Sequence, residues 1–462
     1  MLKPEDHYRL YRYLRSPIID AGEGDAVSPK ALKVFIPQIA WFRERYIRSL
    51  CLDMVDKKQI EAAFDMLADG GVLVTLEIED DTIKLLRPKY KYQVIKEPPF
   101  TLIKRLSGSG GEVPYHHPAR PVNGRKKVCI VRYGAFGDHL MVTPIVEHYY
   151  REGWHITYNC TNKGEAFYKE DPRIDDLLVQ EDDIISSNRF GMYAYWEKLG
   201  KHYDKIIPLS EAVEGKLLRI EGTREFRDSH MKRMADCTKN YLDHHFEMAG
   251  LPDIKGRLPV IPLSDAEREF ARKEVDQVRK KLGKSFIVLW NIFGSSWHKA
   301  YPWMFDVWYL IKHNKDDIGV LAVSDQLGKF VVGTEFNGTV YNGCDKYKIR
   351  QSLSLHSAVD AVVTTETWSM TAGAAFDAPM VILLSHSDAK NVTYRDKDIL
   401  LAPSIKDCPC YPCHQLHYSR SSCPRGNLNK EATLCMDSIA PGTVYQSLMK
   451  LRREHGHYVS LA

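Results

Sequence analysis

The stretch V-R-Y-G-A-F-G-D-H-L-M-V-T-P at 131–144 decides how this chain is read. It follows the apolar run Val128-Cys129-Ile130-Val131 and leads into a helix-like pattern, so it reads as a strand, a tight turn and a helix start. Gly134 and Gly137 let the backbone turn sharply and let a substrate approach more closely than a Cβ would permit. Asp138 stands just past them, at the expected helix N-terminus. A carboxylate there suits two roles, capping of the helix or abstraction of a proton, and the turn alone does not choose between them.

A second signature lies about 230 residues later. Residues 362–379, V-V-T-T-E-T-W-S-M-T-A-G-A-A-F-D-A-P, read as a buried strand, a polar loop and a helix of small residues. Taken in this order, the two segments resemble the ADP-heptose:lipopolysaccharide heptosyltransferases, glycosyltransferase family nine. Arg132, Gly134, Gly137, Asp138, Leu140, Thr143 and Pro144 fit that family's R-x-G-x-x-G-D opening signature, while Thr367, Met370, Ala374, Ala375 and Pro379 fit its donor loop, with Glu366 in place of the usual Asp. Two further matches are G-S-S-W-H-K-A-Y-P at 294–302 and a cysteine-rich tail containing Cys410-Tyr411-Pro412-Cys413 and Cys435-Met436. The resemblance runs from about Lys126 to the end of the sequence.

The resemblance implies an α/β fold of GT-B type, two Rossmann-like lobes, and an inverting transfer of sugar from a nucleoside-diphosphate sugar to a hydroxyl without a catalytic metal. Asp138 matches the proposed general base, and Lys299 matches a phosphate-facing lysine that would steady the departing diphosphate. Glu366, Thr367, Trp368, Ser369, Met370 and Thr371 form the donor loop, opening a helix whose N–H groups suit a diphosphate. Arg132, Gly134 and Gly137 complete the substrate-binding set. Trp368 replaces the family's usual Gly and Thr371 its usual His, so the donor sugar does not carry over. The thiols of Cys410, Cys413, Cys423 and Cys435 form a candidate structural zinc site, with reduced or redox-paired cysteines as the alternative.

Composition sets the frame. With 462 residues, two or three domains are expected. A net charge of +4 from 64 basic and 60 acidic residues neither requires nor excludes a polyanionic partner. No run of 18 apolar residues occurs and the start is polar, which points to a cytoplasmic protein with at most peripheral membrane contact. Scattered cysteines such as Cys129 agree with a reducing compartment.

Residues 107–124, rich in Gly and Pro, read as a linker. Before it, 1–106 reads as a small α+β accessory domain with a helix at 57–69 and a hairpin carrying Val72, Val74, Leu76 and Ile78 against Ile83 and Leu85. A winged-helix-like module fits the same pattern, and the interleaved Arg87-Pro88-Lys89-Tyr90-Lys91-Tyr92 suits either nucleic acid or a solvated strand end. Strand–helix alternation from 126 onward predicts a Rossmann-like acceptor lobe at 125–262 and a donor lobe at 263–462. Within them, strands are expected at 127–132, 154–160, 204–209, 286–290, 318–323, 360–364 and 380–384, and helices at 139–151, about 230–249 and 264–282. The acceptor is expected to be a lipopolysaccharide-type glycan. A phage-type enzyme acting on hydroxymethylated DNA bases and a non-catalytic nucleotide-sugar-binding protein are the alternatives, and an NAD-linked enzyme ranks last because the first turn lacks G-x-G-x-x-G.

Overall fold

A computed structural model describes 124–180, 189–332, 336–418 and 432–455, with isolated segments elsewhere, chiefly strands between 18 and 116. The chain divides into two compact units, Met1–Val113 with Gln180–Ala194, and Pro114–Val179 with Tyr195–Ala462. The return of Gln180–Ala194 to the first unit is a feature the sequence did not reveal.

The first unit holds a six-stranded mixed sheet. Ile47–Met54 runs parallel to Leu67–Glu77, which pairs antiparallel with Phe100–Leu106, itself in a hairpin with Lys91–Glu97. This corrects two expectations. Leu67 to Ala68 and beyond are strand rather than the end of a helix, and Ile83 is helical rather than part of a return strand. The alternation of Val72, Val74 and Leu76 did mark a strand, but its partner is supplied from about 30 residues downstream, beyond the reach of local pattern. Residues 57–66 and 84–90 lie outside the described residues.

In the second unit a five-stranded sheet is ordered Lys205–Pro208, Lys127–Val131, His155–Cys160, Asp176–Val179 and Val113–His116, the first four running parallel. The last of these strands begins where the first unit ends, inside the segment expected to be linker. Pro114 has no N–H to donate, which suits the outermost place in a sheet. The expected helix at 230–249 is two, His230–Asp236 and Tyr241–Met248, each capped by a polar side chain: Ser229 accepts from Lys232 N and Asn240 from Leu242 N.

A second parallel sheet is built from Phe286–Asn291, Ile318–Val323, Val340–Asn342, Ala361–Thr365, Met380–Leu383 and Ile399–Leu401. Its spatial order places the third strand first, then the second, first, fourth, fifth and sixth, the doubly wound arrangement. The two central strands, Phe286–Asn291 and Ala361–Thr365, are buried along their whole length, as a sheet covered by helices on both faces requires. The helix Asp265–Leu282 that feeds it opens on a reciprocal cap: Ser264 Oγ accepts from Glu267 N at 3.2 Å and Glu267 Oε2 accepts from Ser264 N at 2.8 Å. Gln415–Leu416 leaves the second sheet's half of the chain and pairs with Arg219–Ile220.

In an open parallel sheet, ligands gather outside the carboxyl ends of the strands where the order reverses. That point lies between Lys127–Val131 and Lys205–Pro208 in one sheet, and between Phe286–Asn291 and Ala361–Thr365 in the other. The sequence signatures at 132–138, 294–299 and 366–371 all follow one of these strand ends.

Candidate active site

Arg132 follows the first strand and is fully buried. Its Nη1 donates to Leu209 O at 2.9 Å and to Glu214 Oε2 at 3.3 Å, and its Nη2 donates to Glu214 Oε1 at 3.0 Å and to Asp138 Oδ1 at 2.7 Å. Arg132 therefore ties the two strands of the switch point together and fixes two carboxylates. Asp138 Oδ2 accepts from Ala135 N at 2.7 Å, so the side chain caps the turn, with about a quarter of its surface exposed (23 %). Burial by itself would raise the Asp138 carboxyl, but the Arg132 guanidinium and the Ala135 N–H outweigh it and hold the group below the usual carboxylate range.

Gly134 has φ of +124°, and a Cβ there would lie 2.5 Å from Asp138 Oδ2. The glycine is needed because the carboxylate folds back over it. At Gly137 a Cβ would meet Trp368 at 3.6 Å, an ordinary contact. Gly134→Ala is therefore expected to cost about 1–3 kcal/mol in stability through backbone strain and displacement of Asp138. Gly137→Ala, in the first turn of the helix Phe136–Arg151, is expected to be neutral or slightly stabilising. Thermal unfolding of both variants checks this, and equal melting temperatures would contradict it.

The backbone at Gly137 approaches Trp368 because the N-terminal turns of two helices, Phe136–Arg151 and Trp368–Ala375, meet there. Thr367 caps the second helix, accepting from Ser369 N at 3.3 Å and from Asn291 Nδ2 at 3.0 Å, which joins the ends of the two switch-point strands. Gly294 lets Lys299 and Thr367 come together, since a Cβ would lie 2.7 Å from Lys299 Cδ and 2.8 Å from Thr367 Cγ2. The Lys299 ammonium forms no hydrogen bond or ion pair within the described residues. Burial lowers its pKa against the opposing pull of Glu366 and Asp138, which are its charged neighbours.

The donor-loop residues do not all face this opening. Glu366 is buried: its Oε1 accepts from the backbone N–H groups of Ser385, His386 and Ser387 at 3.1, 3.3 and 3.1 Å. Its Oε2 accepts from Ser385 Oγ and lies 3.0 Å from His386 Nδ1. Burial alone would raise this carboxyl, but His386, Ser385 and Lys299 bring it down to about 2. Glu366 thus binds the loop after Met380–Leu383 and sets the field at Lys299. Ser369 Oγ is tied to His356 Nε2 at 2.7 Å, and Met370 belongs to the core. Thr371 Oγ1 meets the Tyr394 hydroxyl at 3.2 Å. The Trp368 indole leans on the His356 ring, 5.2 Å between centroids.

Sequence reading missed Glu214 and Tyr394. No motif surrounds either, and only the partners Arg132 and Thr371, both marked by motifs, lead to them. Tyr394 is pushed up to about 12 by burial, with Asp138 adding to the rise.

The candidate zinc site is not formed by the described residues, among which no three His, Cys, Asp or Glu are placed to hold a metal ion. Cys408 and Cys410 are in contact, Sγ to Sγ 3.6 Å, while Cys435 Sγ turns to Thr433 Oγ1 at 3.2 Å and Cys413 Sγ to the Gln415 carbonyl at 3.9 Å. The thiols nonetheless lie within electrostatic reach of one another, Cys413 of Cys410 and Cys423, and Cys435 of Cys413 and Cys423. The nine described cysteines are all thiols. No helix among the described residues is long and apolar enough to cross a membrane.

No protein-family model matches the chain, and no curated protein matches it. Solved structures do, and those named here are glycosyltransferases. A glycosyl transferase family 9 protein from Veillonella parvula matches at 15 % identity and a TM-score of 0.49, over 71 % of this chain and 98 % of that one. ADP-heptose lipopolysaccharide heptosyltransferase II of E. coli matches at 12 % identity and a TM-score of 0.47, over 72 % of this chain and all of that one (100 %). TibC from enterotoxigenic E. coli, described as an iron-containing dodecameric glycosyltransferase, matches at 12 % identity and a TM-score of 0.43, over 71 % and 77 %.

Proposed function

We propose that this protein is a glycosyltransferase that moves a sugar from a nucleoside-diphosphate sugar to an acceptor hydroxyl, with inversion at the anomeric carbon and no catalytic metal. The observation that carries this reading is the half-buried Lys299, its ammonium without a protein partner among the described residues, beside a Thr367-capped helix N-terminus and within the electrostatic reach of Asp138. A cation and helix N–H groups suit a diphosphate, whose charge grows as it leaves. A partly exposed carboxylate across from them suits the proton that the attacking hydroxyl must lose.

The chemistry accommodates a weak base. An alcohol becomes strongly acidic only as its oxygen bonds to the anomeric carbon, so Asp138, held ionised by Arg132, takes the proton late in that step. In the same step the bond from the anomeric carbon to the diphosphate breaks, and Lys299 stabilises the departing anion. Inversion follows if the acceptor enters from the Asp138 side while the diphosphate leaves on the Lys299 side. A binding protein would have no need of an ionised, partly exposed carboxylate opposite a diphosphate site, which favours catalysis. The resemblance makes a lipopolysaccharide-type glycan the preferred acceptor.

The test is incubation with ADP-, GDP-, UDP- and dTDP-sugars, alone and with lipopolysaccharide core oligosaccharide or hydroxymethylated DNA, read by mass spectrometry. One donor is expected to release its nucleoside diphosphate slowly alone and rapidly with the oligosaccharide, which gains one sugar. Gain of mass by the DNA would transfer the acceptor assignment to nucleic acid, and consumption of no donor would contradict the reading.

A further inference from the structure

Glu214 lies in the loop after Lys205–Pro208, outside every motif, yet its carboxylate holds Arg132 by two prongs, 3.0 Å and 3.3 Å. Arg132 is fully buried and cannot turn to solvent, and its Nη2 is shared between Glu214 and Asp138. Glu214 is itself anchored, accepting from Val213 N at 3.2 Å, and a quarter of its side chain is exposed (25 %).

We propose that Glu214 is a positioning residue for sugar transfer: by gripping Arg132 it aims the guanidinium at Asp138 and offsets part of its charge, so that Asp138 stays basic enough to take the acceptor proton. This rests on the transferase reading above. A guanidinium 2.7 Å from one carboxylate alone would stabilise the anion so fully that it would make a poor proton acceptor. A second carboxylate on the same guanidinium opposes that effect, because like charges disfavour each other's ionised form.

The other groups around Asp138 do not duplicate this. His139, next to it on the helix, and His245, on Tyr241–Met248, are buried and driven down to about 3, so both are neutral. Lys299 and Tyr394 face it from the second sheet's loops, one a cation and one a neutral phenol. Tyr418, from the segment after Gln415–Leu416, brings a neutral phenol that also feels Glu214 and Glu221. Glu214 is the carboxylate that touches Arg132 itself.

The test uses Glu214→Gln, which keeps the size and an oxygen for Arg132 but removes the charge. The full chain is labelled with 13C at the aspartate carboxyl carbons, the Asp138 signal being assigned by its loss in Asp138→Asn, and titrated. Asp138 is expected to titrate at lower pH in E214Q than in the wild type, with the acidic limb of kcat moving the same way. Turnover is expected to fall roughly tenfold, as a weaker base dictates, with KM for the donor unchanged. Glu214→Asp, which retains the charge, is expected to bring both titration and turnover back toward wild type. An unchanged Asp138 titration in folded E214Q would overturn the proposal, as would a turnover loss that tracks a fallen Tm alone. Should E214Q fail to fold, E214D decides, since a folded E214D with wild-type stability but badly reduced turnover overturns it too. A lowered Asp138 titration in a protein that consumes no donor in any form would instead overturn the transferase reading.

Discussion

Asp138→Asn is expected to reduce turnover by about 10²–10⁴-fold, the range for loss of a positioned base, while leaving the fold and donor binding in place. Asparagine keeps one acceptor oxygen, enough for either Arg132 Nη2 or Ala135 N, while its NH2 faces the other donor, so one of the two contacts is lost but the turn over Gly134 retains an anchor. What disappears is the charge. Arg132 keeps Glu214 as its counter-ion, and the expected stability loss is about 1–3 kcal/mol, that of weakening hydrogen bonds to a charged group. Steady-state turnover and calorimetric donor affinity are the two readings required. Near-normal turnover would remove Asp138 from the mechanism.

Glu366→Gln is expected to act on stability and on its pH dependence. The Glu366 carboxyl is lowered from 4.5 to about 2, chiefly by His386 and Ser385 acting against the opposing effect of burial. A folded-state pKa below the unfolded one contributes stability that is complete above the unfolded value near 4.5 and is lost as pH falls toward 2. The shift corresponds to about 3 kcal/mol at neutral pH. Wild-type protein should therefore lose stability steeply between pH 4.5 and pH 2, and Glu366→Gln should be less stable at pH 7 with a flatter dependence in that window. Denaturant unfolding at a series of pH values checks both. A variant with the wild-type slope would show that other carboxylates govern acid unfolding.

The strands and helices that carry the site could be read from sequence because their signals are local. The turn at 131–138, the capped helix from Ser264 and the apolar strand ends at 286–290 and 360–364 each declare themselves within a few residues. Strand order could not be read, since it depends on which edges pair across the sheet. Yet it is the order that brings Arg132 beside Leu209 and Asn291 beside Thr367, and so gathers separated motifs at two crevices. In the donor loop, residues adjacent in sequence part ways, since helical geometry sends Ser369 to His356 and Met370 into the core. Glu366 closes on three backbone N–H groups from a loop about 20 residues later, a partner no local pattern announces. Glu214 escaped notice for the same reason, being 82 residues from the arginine it holds.

The measurement that bears most directly on the proposed site is isothermal calorimetry of nucleoside diphosphates with the wild type and with Lys299→Ala. The Lys299 side chain has no hydrogen-bonded partner among the described residues, so its loss should leave the melting temperature of the ligand-free protein almost unchanged. Removing one charge-assisted contact of about 1.5–3 kcal/mol should weaken the diphosphate roughly 10- to 100-fold. Equal affinity in the two proteins, or binding of no nucleoside diphosphate by either, would contradict the placement of the leaving group between Lys299 and the helix that Thr367 caps.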